Sequence, residues 1–272
     1  MIKSLFKLCA IGFFLLLSLS GCKKMKASKK IPGTGTEDEK PIVTTPPNKL
    51  IKLPVKFVTS DMTIDLAYLD NTTLITEVKF SNGIRYLITY ADKIPRKLQK
   101  FKDNVNVQSA DYQVTNGLVT RVARFEVREK VTTPTEKYYL EYNALSQINK
   151  IKTHAVTNAL LFEESFEYSS AGNRNSATHS ATGSVNYYTY TFDTKNAIFK
   201  SASFSQLLRI EINEDIMNQG SSNILTVSNA KISKENIEYN YTYGLDDYPT
   251  ELKIKRENIT KSFKVTYVVL KD

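Results

Sequence analysis

The 272 residues carry a formal net charge of +9, yet residues 1–52 hold ten lysines against Glu37, Asp38 and Glu39, which leaves only +2 for the rest. That distribution excludes a nucleic-acid module, which concentrates its basic charge on the folded domain. Only two cysteines occur, Cys9 and Cys22, so no disulfide framework staples the remainder; a chain of this length buries enough surface to fold without one.

Lys3 and Lys7 precede an apolar run from Leu8 to Leu19. The run is too short for a helix across a hydrocarbon core, which needs about 20 residues, and it has the form of a secretory signal. It ends Leu19-Ser20-Gly21-Cys22, which closely resembles the lipobox of bacterial lipoproteins. The resemblance implies a signal peptide over 1–21, cleavage before Cys22, and lipidation at Cys22. A single acyl chain anchors only marginally; the resemblance implies several and a stable anchor. Cys9 then leaves with the signal. Residues 22–52, rich in Lys, Pro, Thr, Ser and Gly and interrupted by Pro41, Pro46 and Pro47, read as a flexible tether of about 30 Å end to end. Its lysines suit anionic head groups. Surface-displayed lipoproteins of the Bacteroidota tend to carry acidic residues just after the cysteine. Lys23, Lys24 and Lys26 depart from that pattern, so the expectation is a lipid anchor in the cell envelope, at the outer membrane, with the domain facing the periplasm.

From Leu53 to the C-terminus, Val, Ile, Thr, Tyr and Phe alternate with polar residues, and turn residues interrupt every 8 to 14 positions. Glu77 to Tyr90 is a hairpin about Asn82-Gly83, and Asn116-Gly117 marks another; type I′ turns need positive φ at both central residues, which Asn and Gly tolerate. Tyr239, Tyr241 and Tyr243 share one face, as do Tyr188, Tyr190 and Phe192, and Tyr138, Leu140 and Tyr142. One apolar and one polar face mark an antiparallel sheet solvated on one side. Strand-closing aromatics at Tyr90, Tyr142, Tyr168, Phe192 and Tyr243 stand 52, 26, 24 and 51 residues apart, which fits a repeated two-stranded unit of about 25 residues. The expected fold is all-β: an antiparallel meander of repeated hairpins over 53–272, forming a curled sheet, a sandwich or an incomplete barrel, with one short helix near 203–217. Short strands and mid-strand tyrosines argue against a membrane barrel, whose strands show lipid-facing bands flanked by aromatic girdles.

The aromatic-polar-aromatic strands followed by turns resemble YD-type (RHS-like) hairpin repeats. The stretch Tyr190 to Phe199, then Ser221-Ser222-Asn223-Ile224, then Tyr241-Thr242-Tyr243 with Asp246-Asp247-Tyr248-Pro249, is similar to Bacteroidota lipoproteins that carry a β-rich domain of unknown function. Asn196-Ala197-Ile198-Phe199 departs from the Asn-Pro-Phe usual there. The resemblance covers about residues 60–272. It implies β structure and an envelope location, and no chemistry.

The residues for catalysis are sparse. There is no G-x-S-x-G elbow, and the one Gly-x-Gly, Gly33 and Gly35, lies in the tether without a preceding strand. Zinc needs clustered His or Cys, and the domain offers only His154 and His179, 25 residues apart in neighbouring repeat units; they could meet, but a place on the polar face of a strand explains them better, so no metal and no cofactor is expected. Glu163-Glu164, Glu214-Asp215 and Asp246-Asp247 offer paired carboxylates in composition only. Adjacent strand residues face opposite ways, which separates Glu163 from Glu164, and Asp246-Asp247 reads as turn chemistry. The tyrosine rows remain: Tyr188, Tyr190, Tyr239, Tyr241 and Tyr243 form either a candidate binding strip, for a glycan or an envelope protein, or the inner face of the sheet. Burying a large side chain contributes roughly 1.5–3 kcal/mol, which favours the inner face. The sequence therefore describes a non-enzymatic, membrane-anchored envelope lipoprotein, a β scaffold that binds a protein or glycan. The alternatives are a glycan-active hydrolase, which convergent acids in a pocket would favour, and a passive structural lipoprotein.

Overall fold

A computed structural model describes residues 51–203, 205–212, 214–217 and 220–270; the signal, Cys22 and the tether up to residue 50 lie outside these residues. The first half holds β1 (Ile51–Val58), β2 (Thr63–Tyr68), β3 (Ile75–Phe80), β4 (Ile84–Ala91), β5 (Ile94–Lys102), β6 (Val105–Thr115), β7 (Leu118–Arg128) and β8 (Val131–Tyr142). Then come β9 (Ile148–Ala155), β10 (Leu160–Tyr168), β11 (Arg174–Ala181) and β12 (Ser184–Phe192). An excursion carries α1 (Ser205–Glu211) and a 3-10 turn at Asp215–Met217. The chain finishes with β13 (Ile224–Asn229), β14 (Ile237–Tyr243), β15 (Pro249–Arg256) and β16 (Ile259–Leu270). The short helix falls where the sequence places it. β1 takes in Ile51 and Lys52, two residues that the sequence assigns to the tether.

The sixteen strands follow one another around a closed antiparallel barrel. The expectation of a sandwich or an incomplete barrel is corrected here: β1 pairs with β16 from Ile51 opposite Leu270 to Val58 opposite Lys264. Alternation and turn spacing report on sequence neighbours, whereas closure rests on pairing between the two ends of the domain, and it leaves no edge strand open to a neighbour. Of the two predicted type I′ turns, Asn116-Gly117 has positive φ at both residues, but at Asn82-Gly83 only Gly83 does. There the positive φ of Gly83 is what favours glycine.

Even-numbered strands run toward one end of the barrel, the insertion rim, where they turn into odd-numbered strands. Register slips by one residue at seven of these junctions, between Ala67/Tyr68, Thr89/Tyr90, Gln113/Val114, Glu141/Tyr142, Glu167/Tyr168, Thr191/Phe192 and Thr242/Tyr243. Bulges of this kind bend and twist strands and are enriched at barrel rims. Many of the aromatics there reach back to a neighbouring backbone. The hydroxyls of Tyr68, Tyr90, Tyr142, Tyr168 and Tyr241 donate to the carbonyls of Pro54, Ile75, Val119, Ile148 and Ile224, at 2.6–2.9 Å.

The two faces differ sharply. Inward lie Leu53, Phe57, Ile64, Leu66, Val78, Ile88, Leu98, Val122, Leu140, Ile151, Leu252, Ile254 and Phe263, all buried in one core. Outward lie cross-strand ion pairs on successive strands: Lys56–Asp65, Arg85–Glu77, Lys97–Asp111, Lys152–Glu141, Lys150–Glu163 and Lys255–Glu238, at 2.6–3.9 Å. A barrel of this strand number encloses more space than its own side chains fill. The described residues between 193 and 223 occupy it. They enter at the insertion rim, where Ser203 bridges to Leu74. Phe199 packs on Phe57 of β1 with ring centroids 5.8 Å apart. The excursion reaches the opposite rim, where Arg256 donates to Asp215 at 2.8 Å. Leu207, Leu208, Ile212, Ile216 and Met217 are buried along the way.

Candidate functional site

The excursion does not fill the lumen evenly. At the rim opposite its entrance, a cavity of about 460 Å³ opens between β8 and β15, with the excursion as one wall. Its apolar floor is Ile151, Ile210, Ile212, Val227 and Ile237, and its rim carries Phe162, Tyr188 and Tyr190. The inward alternation of β10, β11 and β12 delivers Glu164, His179, Tyr188 and Tyr190 to it. The turn before β14 delivers Glu235, α1 delivers Arg209, and the residues after α1 deliver Glu214 and Asp215.

The polar groups form chains. Glu164 Oε1 lies 3.1 Å from His179 Nε2, off the line of a hydrogen bond. The His179 ring packs on Tyr188 at 4.6 Å. The Tyr188 hydroxyl donates to Glu235 Oε2, which also accepts from Asn229 Nδ2 at 3.0 Å. Burial pushes the Tyr188 phenol up to about 12 and pulls the His179 imidazole below its usual range, with Glu164 opposing; His179 is therefore neutral at neutral pH. Burial also raises the Glu214 carboxyl, with Asp215 adding to the effect and Lys261 opposing it.

Arg209 stands apart. Its guanidinium lies over the Phe166 ring at 4.7 Å, and Arg174 lies over the same ring at 4.5 Å. Among the described residues no carboxylate comes within 4.0 Å of Arg209, whereas Asp215 has Arg256, Glu235 has Tyr188, and Glu164 has only the neutral His179 beside it. Burial first, and Arg174 second, pull the Arg209 guanidinium down to about 10.

The five predicted tyrosines all face inward. Tyr239 is buried at 2 % exposure, so it cannot belong to an open strip. Tyr241 donates to Ile224 O, and Tyr243 donates to Asp193 and stacks on Tyr241 at 5.9 Å. Only Tyr188 and Tyr190 line the cavity. His154 and His179 do not meet: His154 packs edge-on against Tyr139 and contacts Asn158 O at 3.0 Å, while His179 faces the lumen. Glu163 pairs outward with Lys150 and Glu164 inward with His179, on opposite faces as strand geometry requires. Asp246 and Asp247 sit in a turn, paired with Lys52 and Lys195. Arg209 and Glu235 were not singled out by the sequence; the one available signal was a lone arginine inside the apolar stretch Leu207-Leu208-Arg209-Ile210. No serine, threonine or cysteine is among the described lining residues, and no three His, Cys, Asp or Glu side chains among the described residues cluster as a metal site would.

No described protein family matches the chain, and no curated protein does. Among solved structures, a porin-like protein from Bacteroides uniformis is similar with a TM-score of 0.56 at 12% identity, over 82% of this chain and 98% of that one. A porin-like protein from Bacteroides vulgatus gives 0.48 at 12% identity, over 79% and 97%. At such identity the first likeness speaks to the fold, an all-β barrel, and to nothing finer.

Proposed function

We propose that this protein is a non-catalytic, lipid-anchored scaffold of the bacterial cell envelope. Its barrel stands in water, and its rim cavity holds a glycan. The observation that carries the first part is the polarity of the wall. In a membrane barrel the outer face is an apolar band, and each Lys or Arg moved to the lipid midplane costs about 2–4 kcal/mol. Here the outer face carries charged pairs on β1, β3, β5, β8, β10 and β14 with their neighbours, and the apolar face is turned inward onto residues 193–223. Attachment through Cys22 and the 22–52 tether would then supply the membrane contact that the barrel lacks. The seven bulges at one rim favour descent from a repeated hairpin.

The test is local. Asn240 is exposed midway along β14, opposite Lys253 of β15. Asn240→Cys in the anchored protein is expected to react with a charged, water-soluble maleimide in intact membranes as fast as a cysteine in a rim turn. Protection at position 240, lifted by detergent, would place this wall in lipid.

A second reading follows from the four carboxylates that converge on the cavity, Glu164, Glu214, Asp215 and Glu235. Glu214, its carboxyl raised by burial, is the member suited to donate a proton in glycoside hydrolysis. Release of free sugar from a glycan by the wild-type protein, abolished in Glu214→Gln, would establish that reading in place of a passive binder.

A further inference from the structure

We infer that the rim cavity is keyed to a sugar bearing a single carboxylate, a hexuronate-type ligand, with Arg209 receiving the carboxylate. This rests on the reading of the cavity as a glycan site and narrows it to a charge class.

Three observations lead there. The first is the unmatched cation. Asp215 has Arg256 at 2.8 Å, and Glu235 has Tyr188 and Asn229; Glu164 lies 3.1 Å from the neutral His179, and its charge reaches Arg209 without an ion-pair contact. Arg209 lines the same cavity with its guanidinium against Phe166 and, among the described residues, no carboxylate within ion-pair reach. A guanidinium withdrawn from water next to a second one, Arg174, gains most from an added anion, and its planar fork suits the two oxygens of a carboxylate.

The second is the total charge of the cavity. Glu164, Glu214, Asp215 and Glu235 face Arg209 and Arg256, with His179 neutral. Like charges across a small, partly desolvated space repel strongly. A doubly charged phosphate would meet those acids with about twice the repulsion that a single carboxylate meets, so of the two anions the carboxylate is the one that contact with Arg209 can offset.

The third is the rest of the lining. Glu164, His179, Glu235 and the Tyr188 hydroxyl present acceptors and donors suited to hydroxyl groups, and Tyr188, Tyr190 and Phe162 present ring faces and edges. A cavity of about 460 Å³ lies within the range of small-ligand sites. Hydroxyls on an aliphatic ring, with one carboxylate, satisfy the whole set.

The experiment is calorimetric titration of the full-length protein with galacturonate, its methyl ester, galactose and galactose 1-phosphate. The ester and the neutral sugar change the ligand and leave the protein intact, so the result does not depend on a variant folding. The expected order is galacturonate first, with the ester, the neutral sugar and the phosphate each weaker by about tenfold or more, the difference one charge-assisted bidentate contact makes. Arg209→Gln, checked for its β-sheet circular dichroism, is expected to bring galacturonate down to the affinity of its ester. Equal binding of acid and ester would overturn the inference and leave the glycan site standing. A preference for the phosphate would overturn the single-charge requirement and with it the inference. Absence of heat with all four sugars would remove both the inference and the glycan reading.

Discussion

Arg124 shows how single residues hold the lumen in order. It donates to Glu211 Oε2 at 3.0 Å, to Glu136 Oε2 at 3.1 Å and to the Ile210 carbonyl at the end of α1 at 3.0 Å, with its guanidinium over the Tyr138 ring at 4.7 Å. The Glu211 side chain is only 1 % exposed, and burial raises its carboxyl while Arg124 works against that. Removing one member of a buried pair leaves the other uncompensated, at about 3–5 kcal/mol. Arg124→Leu is therefore expected to lower the unfolding free energy by that much in urea titration, and the further change Glu211→Leu to restore part of it. His179 gives a pH signature. Its folded pKa lies below the ordinary 6.5 because burial outweighs Glu164, with Arg209 and Arg174 also opposing the proton and Glu235 weakly favouring it. The unfolded chain thus takes up the proton first as pH falls. Stability from this group is complete above about pH 6.5 and declines below it until the folded pKa is reached. Denaturation midpoints at pH 7.5 and 5 should fall further apart for the wild type than for His179→Gln; an equal spread would show that His179 contributes nothing to acid sensitivity.

At the scale of elements, the strands and their facing were legible because a half-wet sheet alternates strictly. Tyr239, Leu252 and Ile254 announced the inner face, and Glu238, Lys253 and Lys255 the outer one. The spaced aromatics were legible too, although their geometric meaning was not. Tyr90, Tyr142, Tyr168, Phe192 and Tyr243 each stand directly after a register shift, and so does Val114, an aliphatic residue in the gap between Tyr90 and Tyr142. The hydroxyls of Tyr90, Tyr142 and Tyr168 satisfy neighbouring backbone carbonyls, so Tyr168→Phe is expected to lower stability by about 1 kcal/mol without altering the fold. The excursion was legible only as a helix. Nothing in a short apolar helix says that it will thread a lumen, because that depends on how much space sixteen strands enclose. Leu208 is buried at 3 % exposure; Leu208→Ala is expected to cost about 2–5 kcal/mol by unfolding measurements, which marks the excursion as core. A change within experimental error would mean that the excursion is a loosely held lid.

For the whole molecule, closure and the direction of polarity together decide what the barrel is suited to. Neither could be read locally: closure joins Ile51 to Leu270, and an alternating strand reads the same whether its apolar face meets lipid or a packed lumen. The candidate site shares this difficulty. Glu164, His179, Arg209 and Glu235 lie far apart in sequence and meet only because β10, β11, the excursion and the turn before β14 converge at one rim. The outer ion pairs contribute little to stability, about 0–1 kcal/mol each; their importance is that such a surface favours water over hydrocarbon. Detergent phase partitioning of the lipidated protein beside a variant that begins at Lys23, and so lacks both Cys22 and the apolar run Leu8 to Leu19, tests this directly. The lipidated protein is expected to enter the detergent phase, and the shortened variant, folded by circular dichroism, to stay in the aqueous phase. A folded shortened variant that enters the detergent phase would contradict this and place the barrel itself in the membrane.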